Sequence, residues 1–361
     1  MAGDNIHRSP NGERWVARWR NPQNQTRKKT FDTKQQAKAH IAQMSVDTAE
    51  GRYVDARKAS VTFKEYAEDW RKDAPHRQST ADQVKSYLHR HAYPTLGDLR
   101  LDRITADVLQ GWVNDLGGTL APSTVEVISR HVRAVLNAAV EDRILKRSPW
   151  TRKKVKLPKV TSEDVRPIAP RDVYRIADAI QPRYRALVLF LLGTGCRSSE
   201  AYGLTMDRLD LEAGLVRIDR QLVRSSAGVS FGPPKTDASI RTIPMSDSTT
   251  TVLEHYIEQY GLGEHDLVFT NDKGEGIRRN RFGEVWREAI KGTDGVEARG
   301  PHQLRHVYAS MLIRFGESLP TVSGRLGHST ITETARTYAH LWEDSDDRTR
   351  SAVNAGLAGL T

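Results

Sequence analysis

The sequence predicts a mainly α protein with small β-sheets (α+β). Near the N-terminus, large apolar residues alternate with basic ones, which is typical of short strands. The middle of the chain carries apolar residues at spacings of three and four, which is typical of amphipathic helices. Beyond residue 165, helix and strand signals follow one another in mixed order. Because 361 residues are too many for one ordinary core, we expect two or three domains.

Residues 1–58 predict a three-stranded sheet followed by one helix. The strand candidates within it are 15–20 and 27–31, separated by a turn at Asn21-Pro22. The helix is expected over 33–50, with Asp32 or Thr33 as its cap. Basic side chains on the strands form either a solvated face or a surface that reads a nucleic-acid groove. These side chains are Arg18, Arg20, Arg27, Lys28 and Lys29.

Residues 60–147 predict a compact domain of four helices. The first begins near Phe63, the second spans about 80–91, and the third spans 102–116 with Thr105 as a cap. The fourth, over 123–144, is the longest. Its apolar face consists of Val125, Ile128, Val132, Val135, Leu136 and Ala139.

A basic linker is expected at 148–164. The stretch 146–159 holds seven basic residues, two prolines and no acidic residue. We therefore expect it to bury no core and to connect two domains, where it could lie along a nucleic-acid backbone. Its candidate contact residues are Arg152, Lys153 and Lys154.

Residues 165–361 predict a mixed α/β domain with a C-terminal tail. A helix opens at Asp172, and an apolar stretch at 185–192 ends at Gly193-Thr194-Gly195. The small and apolar stretch 351–360 is unusual for a free tail, and we expect it to dock on a neighbouring subunit. Strands are expected at 215–222, 228–231 and 240–245, and helices at 247–260, 280–291, 302–315, 318–326 and 330–341.

The charge distribution points to a nucleic-acid partner. The net charge is +10, and the sequence pI is about 9.6. Residues 1–60 carry 12 basic and 6 acidic side chains, residues 61–165 carry 18 and 14, and residues 166–361 carry 25 of each. The excess lies wholly in the first 165 residues, so we expect those residues to grip phosphates.

Composition also excludes several classes of protein. One cysteine, Cys196, leaves no disulfide framework and no multi-cysteine zinc site. The chain has no run of eighteen apolar residues, and its first ten residues lack an apolar signal core. We therefore expect a cytoplasmic protein that has no membrane partner.

Three segments resemble known metal- or nucleotide-binding motifs, but each lacks a residue that the motif requires. His302 and His306 have the i, i+4 spacing of a metal site, but no glutamate stands at the second position and no third ligand is evident. The turn Gly193-Thr194-Gly195 resembles a dinucleotide loop, but position 198 is Ser rather than the third glycine. Lys235-Thr236 lacks the glycine spacing of a phosphate-binding loop.

Polar residues of the C-terminal region instead suit phosphoryl transfer without a metal. Two guanidinium groups can hold the charge of a transferring phosphate by bidentate contacts. A tyrosine oxygen can attack phosphorus, and a lysine can protonate the oxygen that leaves. No acidic cluster suggests a magnesium-dependent nuclease. The candidates are Arg197, Lys235, His302, Arg305, His328 and Tyr338.

Four motifs in this region resemble those of the tyrosine recombinases. Thr194-Gly195-Cys196-Arg197-Ser198-Ser199-Glu200 resembles the family's first arginine box, and His302-Gln303-Leu304-Arg305-His306 its second. Leu326-Gly327-His328 followed by Thr337-Tyr338 resembles the third box and the nucleophile, and Lys235 matches the hairpin lysine. Gln303 departs from the acid that the family often carries. The first 58 residues resemble the arm-type DNA-binding domain of phage integrases, and residues 60–147 their core-binding domain.

The resemblance implies a role for each matched residue. Tyr338 would attack the phosphate and form a 3′-phosphotyrosine, while Arg197 and Arg305 hold the phosphate oxygens. Lys235 would be the general acid, and His302 would assist proton transfer at the tyrosine. His328 would donate a hydrogen bond to a phosphate oxygen, and Glu200 would orient Arg197.

The resemblance also implies partners and a tetrameric assembly. The expected partner is double-stranded DNA with core-type and arm-type attachment sites. A homotetramer would exchange strands through a Holliday junction and integrate or excise a phage or mobile element in a bacterial cell. A host DNA-bending protein and a directionality factor are further candidate partners, and no cofactor is implied.

Three other functions compete with this interpretation. A type IB topoisomerase would use similar residues to relax supercoils, although the arm-like domain speaks against it. A telomere resolvase would produce hairpins from a single site. A repressor built on an inactive recombinase would keep the basic first half and lose catalytic residues, all six of which are present here.

Overall fold

The fold was analysed in a computed structural model that describes residues 5–22, 24–50, 53, 60–151, 154–160, 167–225, 228–234, 236–342 and 346–358. The chain divides into two compact units, Met1–Thr161 and Ser162–Thr361. Both combine helices with small antiparallel sheets, which confirms the predicted α+β class.

The first unit opens with a three-stranded antiparallel sheet and one helix. The strand order is β1-β2-β3, and helix α1 packs on one face through Ala17, Ala37 and Ile41. Of the two predicted caps, Thr33 is the one used: its side chain accepts from the backbone of Gln36, which caps Thr33 in return. The elements are β1 (Asn5–Arg8), β2 (Trp15–Arg20), β3 (Thr26–Phe31) and α1 (Lys34–Ala49).

A helical core follows within the same unit. All six residues of the predicted apolar face of the longest helix are fully buried, which confirms that face. A π-helical turn at Leu88–Ala92 breaks the second predicted helix, and Trp112 Nε1 donates to His91 O at 2.7 Å beside it. The helices are α2 (Phe63–Asp73), α3 (Gln78–Tyr87), α4 (Tyr93–Leu96), α5 (Ala106–Gly117) and α6 (Pro122–Glu141).

The segment predicted as a linker packs partly into the helical core. We expected this basic segment to bury no core, and that is wrong for Trp150 and Val155, which are 8% and 3% exposed within the helical core. The Trp150 ring lies edge-on to Trp112, with centroids 6.4 Å apart. Lys156 N donates to Gln110 Oε1 at 2.7 Å, which holds the segment against α5. Apolar side chains spaced between the basic ones dock here, while Lys154, Lys156 and Lys159 are exposed.

The second unit is built around a helix that is apolar on all sides. Residues 186–192 of α8 are all buried, and α8 contacts α7, α10 and α12. Its helices are α7 (Pro170–Ala179), α8 (Pro182–Thr194), α9 (Ser198–Tyr202), α10 (Asp247–Tyr260), α11 (Arg279–Lys291), α12 (Gln303–Arg314), α13 (Leu319–Leu326), α14 (Ile331–Tyr338) and α15 (Asp346–Leu357).

Two small sheets accompany these helices. The single strand predicted at 215–222 is wrong, because its residues belong to both sheets. One sheet has the order β4-β5-β8, and β6 pairs only with β7 among the described strands. The predicted strand is therefore two strands in different sheets, with a break at Asp219. The Asp219 carboxylate forms ion pairs with Arg208, Arg217 and Arg220. The strands are β4 (Leu209–Asp210), β5 (Leu215–Ile218), β6 (Gln221–Ser225), β7 (Gly228–Gly232) and β8 (Arg241–Pro244).

The C-terminal stretch predicted as a tail is largely helical. Helix α15 covers residues 346–357, and Val353 and Leu357 on it are about half exposed. Separately, none of the helices in the described ranges combines the length and the apolar character that a membrane crossing requires.

Candidate active site

The turn after α8 delivers Arg197. Gly195 ends α8 with a φ of 60°, in the left-handed region that glycine adopts without strain. A Cβ at Gly195 would lie 2.2 Å from Tyr308 Cδ1, so a larger residue cannot occupy this turn unless Tyr308 moves. Arg197 then stands at the N-terminal boundary of α9 with its side chain about a quarter exposed.

The Glu200 carboxylate accepts hydrogen bonds from both the backbone and the side chain of Arg197. One carboxylate oxygen accepts from the Arg197 backbone N–H at 2.8 Å, and the other accepts from Arg197 Nη1 at 3.0 Å. The guanidinium also donates to Ser239 Oγ and to Gly327 O. Glu200 is 3% exposed, and the arginines around it hold its pKa below the usual range despite that burial. Glu200 thus contacts Arg197 directly, and its orienting role stays a prediction.

Arg241 is a buried connector that the sequence did not reveal. Its Nη2 donates to Glu200 at 2.9 Å, and its Nε donates to Arg325 O at 2.7 Å. Its Nη1 donates to Ser239 O at 2.8 Å. Arg241 thus joins β8 to the end of α13 and to the carboxylate behind Arg197. Because Glu200 is buried, loss of this partner would leave a poorly compensated charge.

Arg305 lies deeper than Arg197. It is 3% exposed, its Nη1 donates to Gly195 O at 2.8 Å, and its Nη2 donates to Leu326 O. Burial, followed by the positive charges of Arg197 and Arg241, lowers the pKa of Arg305 to about 10 against the opposing effect of Glu200. Arg197, Arg241 and Arg305 therefore stand close together around the carboxylate of Glu200. This surplus of positive charge suits an anion.

Tyr338 ends α14 and lies almost wholly buried, at 1% exposure. Burial raises the pKa of its phenol to about 12, and Arg305 acts in the opposite direction. The Tyr338 hydroxyl is hydrogen-bonded to His306 Nδ1 at 2.7 Å. We predicted that His302 would serve the tyrosine, but in the structure the direct partner is His306, and His302 packs edge-on against it with centroids 5.1 Å apart.

His328 and His306 have pKa values low enough to leave both rings neutral at physiological pH. Desolvation, together with nearby arginines, lowers the pKa of His328 to about 4, and desolvation and His302 do the same for His306. The pKa of His302 is also lowered, first by desolvation of its ring, although the residue as a whole is exposed. His328 follows a left-handed Gly327 and is hydrogen-bonded through Nδ1 to Thr334 Oγ1 at 2.7 Å. Its side chain is 7% exposed.

Five of the six candidate residues are therefore described, and they gather around the ends of α8, α13 and α14. Lys235 lies outside the described residues. Sequence reasoning missed His306 and Arg241. The sequence does offer one signal for His306, because it is a second histidine directly after Arg305. Its spacing from His302 suggested only a metal ligand.

The candidate DNA contacts of the first unit divide between two faces of its sheet. Trp19 pairs with Arg27, and Ala17 pairs with Lys29, on the face that α1 covers. Arg18 pairs with Lys28 on the opposite face, which also carries Arg20. The three residues of this open face are all exposed.

In the predicted linker, the candidate contacts are described only in part. Lys154 is exposed, whereas Arg152 and Lys153 lie outside the described residues. Lys154 therefore offers its charge to solvent beside the buried Val155.

The described residues contain no group of three or more His, Cys, Asp or Glu side chains that could hold a metal ion. Cys196 is buried, and burial raises the pKa of its thiol to about 12, which makes it a packing residue. The site described here thus offers arginines, neutral histidines and a phenol, which together suit attack on a phosphate.

Comparison with known families agrees with this chemistry. The model described as "Phage integrase family" matches residues 166–344, and the model described as "Phage integrase central domain" matches residues 63–156. A Tyrosine recombinase XerC-like protein of Caldanaerobacter subterraneus is 29% identical over 60% of this chain and 62% of its own length. A putative prophage phiRv2 integrase of Mycobacterium tuberculosis is 25% identical over 93% of this chain and 91% of its own length.

Solved structures share the fold. The Tn1549 transposon integrase in complex with a circular intermediate DNA superposes with a TM-score of 0.68 and 23% identity, over 82% of this chain and 99% of that one. A lambda integrase tetramer bound to a Holliday junction gives a TM-score of 0.60 and 16% identity, over 91% of this chain and 96% of that one. At these identities the likeness concerns the fold.

Proposed function

Since the chain belongs to the phage integrase family and is a tyrosine recombinase, we propose that it integrates and excises a phage or other mobile element at specific DNA sites. The observation that carries the proposal is the buried Tyr338 hydroxyl, hydrogen-bonded to a histidine that directly follows the buried Arg305. A phenol beside a surplus of guanidinium charge suits nucleophilic attack on a phosphodiester.

The proposed reaction proceeds through a covalent intermediate. Tyr338 Oη attacks the scissile phosphorus, a 3′-phosphotyrosine bond forms, and the bond to the 5′ oxygen breaks. Arg197 and Arg305 stabilise the charge on the non-bridging oxygens, with Glu200 positioning Arg197. Lys235 protonates the departing 5′ oxygen, and His328 donates to a phosphate oxygen. The phosphotyrosine bond conserves the energy of the cut for rejoining, so no cofactor is required.

The proposed partners are duplex DNA and three further copies of the chain. Core-type sites would be held by the helical region and by the catalytic residues, and arm-type sites by the N-terminal sheet. The tetramer of lambda integrase on a Holliday junction supports a homotetramer here. The proposed place of action is the cytoplasm of a bacterial cell. A host DNA-bending protein and a directionality factor remain part of the proposal on family resemblance alone.

The products formed on defined DNA test the proposal. A core-site duplex would first be selected from a random pool by the full-length chain, and two copies would then be placed on one supercoiled plasmid. We expect exchange between the two copies and a Holliday junction intermediate. Relaxation without exchange would identify a topoisomerase, hairpins from a single site a resolvase, and binding without cleavage a repressor. Any of these three outcomes would contradict the proposal.

The open face of the N-terminal sheet gives a second prediction. Replacing Arg18, Arg20 and Lys28 by Ala should weaken binding to an arm-type duplex, selected from a random pool by the full-length chain, and flatten its salt dependence by roughly 0.9 per lost phosphate contact. The matched control replaces Arg27 and Lys29, which lie on the face that α1 covers. Binding constants measured by fluorescence anisotropy at several salt concentrations check this. Equal salt slopes for both variants would remove the open face as a DNA-binding surface.

A further inference from the structure

We propose that His306 is a catalytic residue of this enzyme: it takes the proton from Tyr338 as the phenol attacks the phosphate. The assignment rests on the proposed covalent chemistry and adds a residue to it. It also differs from the family resemblance, which gives the role at the tyrosine to His302.

The position of His306 on α12 separates its side chain from that of Arg305. Arg305 and His306 are consecutive, so their side chains leave the helix about 100° apart. Arg305 turns to the carbonyls of Gly195 and Leu326, whereas His306 reaches the Tyr338 hydroxyl at the end of α14. One helix thus supplies both a phosphate-binding group and a partner for the nucleophile.

His306 is in direct contact with the proposed nucleophile. The distance from His306 Nδ1 to Tyr338 Oη is 2.7 Å, which is within the reach required of a general base. The two rings lie with their centroids 5.6 Å apart. Tyr338 is 1% exposed, so bulk water has little access to its hydroxyl, and His306 is the side chain hydrogen-bonded to it.

The protonation states of His306 and Tyr338 suit a base and its proton donor. With its pKa lowered to about 4, His306 is neutral at pH 7 and has one ring nitrogen free to accept. With its pKa raised to about 12, Tyr338 keeps its proton until a base removes it. The negative phosphate that binds beside Arg305 stabilises the imidazolium that forms. His302 packs edge-on against His306 with the ring centroids 5.1 Å apart, so a second imidazole lies next to the proton acceptor.

The step balances without an added reagent. The Tyr338 O–H bond breaks and its proton moves to His306 Nδ1, while the bond from Tyr338 Oη to phosphorus forms. The bond from phosphorus to the 5′ oxygen breaks, and that oxygen takes a proton from Lys235. Rejoining reverses each transfer, so His306 returns the proton to Tyr338.

The test compares His306→Asn with wild type on a nicked core-site duplex selected by the full-length chain. Asparagine keeps an oxygen near the position of Nδ1 but cannot accept a proton at pH 7. We expect unchanged DNA binding and melting temperature, with adduct formation slowed about 100-fold or more. His255→Asn, on the exposed side of α10, is the matched control and should react at the wild-type rate.

A second duplex carries sulfur in place of the bridging 5′ oxygen. A thiolate leaves without a proton donor, because a thiol has a pKa near 8.5, far below that of an alcohol. Lys235→Ala should therefore recover on this duplex, whereas His306→Asn should stay slow.

Two results would overturn the assignment alone. One is a His306→Asn rate within about threefold of wild type on the oxygen duplex, and the other is recovery of His306→Asn by sulfur. A wild-type chain that forms no adduct on either duplex would instead overturn the proposed function, and the assignment with it.

Discussion

Replacing Tyr338 by Phe abolishes covalent capture of DNA, and this is the largest effect that we expect of any single substitution. The change removes the phenol oxygen and no other heavy atom, so the nucleophile is lost while the aromatic packing of the 1% exposed ring remains. The lost hydrogen bond to His306 should cost about 0.5–1.5 kcal/mol of stability, which is small for a folded unit of this size. DNA binding should persist.

The measurement is denaturing gel electrophoresis after incubation with a nicked core-site duplex. The short strand freed by cleavage diffuses away from this duplex, so rejoining is prevented and the covalent adduct accumulates. Tyr174→Phe is the matched control, because Tyr174 lies on α7 and is 48% exposed. It should form adduct at the wild-type level. An adduct that survives in the Tyr338→Phe variant would sink the identification of the nucleophile.

The local motifs explain why the sequence alone predicts Tyr338 and its main companions as one site. Arg197 follows a glycine turn, and Arg305 follows His302 by three residues, so each signal is contained in a few consecutive positions. The apolar face of α6 was equally legible, because a helical period repeats over 20 residues. Thr33 and Thr105 were found as caps by the same local logic.

The missed features depend on contacts between distant parts of the chain. His306 and Tyr338 are 32 residues apart, and Arg241 meets Arg325 across 84. No periodicity or spacing rule connects such pairs. Trp150 and Val155 stand in a strongly basic stretch, and its composition alone predicted a segment outside any core. Their burial depends on contacts with helices that lie earlier in the chain. The strand predicted at 215–222 failed for a related reason, because the break at Asp219 follows from three arginines that converge on its carboxylate.

Arg305→Lys should produce the second largest loss. Lysine keeps the positive charge, but its single ammonium cannot donate to Gly195 O and Leu326 O and also hold a phosphate with the planar fork of a guanidinium. Removing one such stabilising group from a transition state typically costs 100- to 1,000-fold in rate, and we expect a fall of about that size in adduct formation. An unsatisfied buried carbonyl should also lower stability by about 1–3 kcal/mol.

Arg287→Lys on α11 separates this effect from a general loss of guanidinium groups. Its Nε donates to Gly283 O on the same helix, and the residue is exposed, so its replacement should leave adduct formation unchanged. Single-turnover cleavage of the nicked duplex gives both rates, and thermal unfolding gives the stability change. If Arg305→Lys reacted within about tenfold of wild type, charge alone would suffice at this position. The two carbonyl contacts would then serve to hold the turns at Gly195 and Leu326 in place rather than to aim a fork at the phosphate.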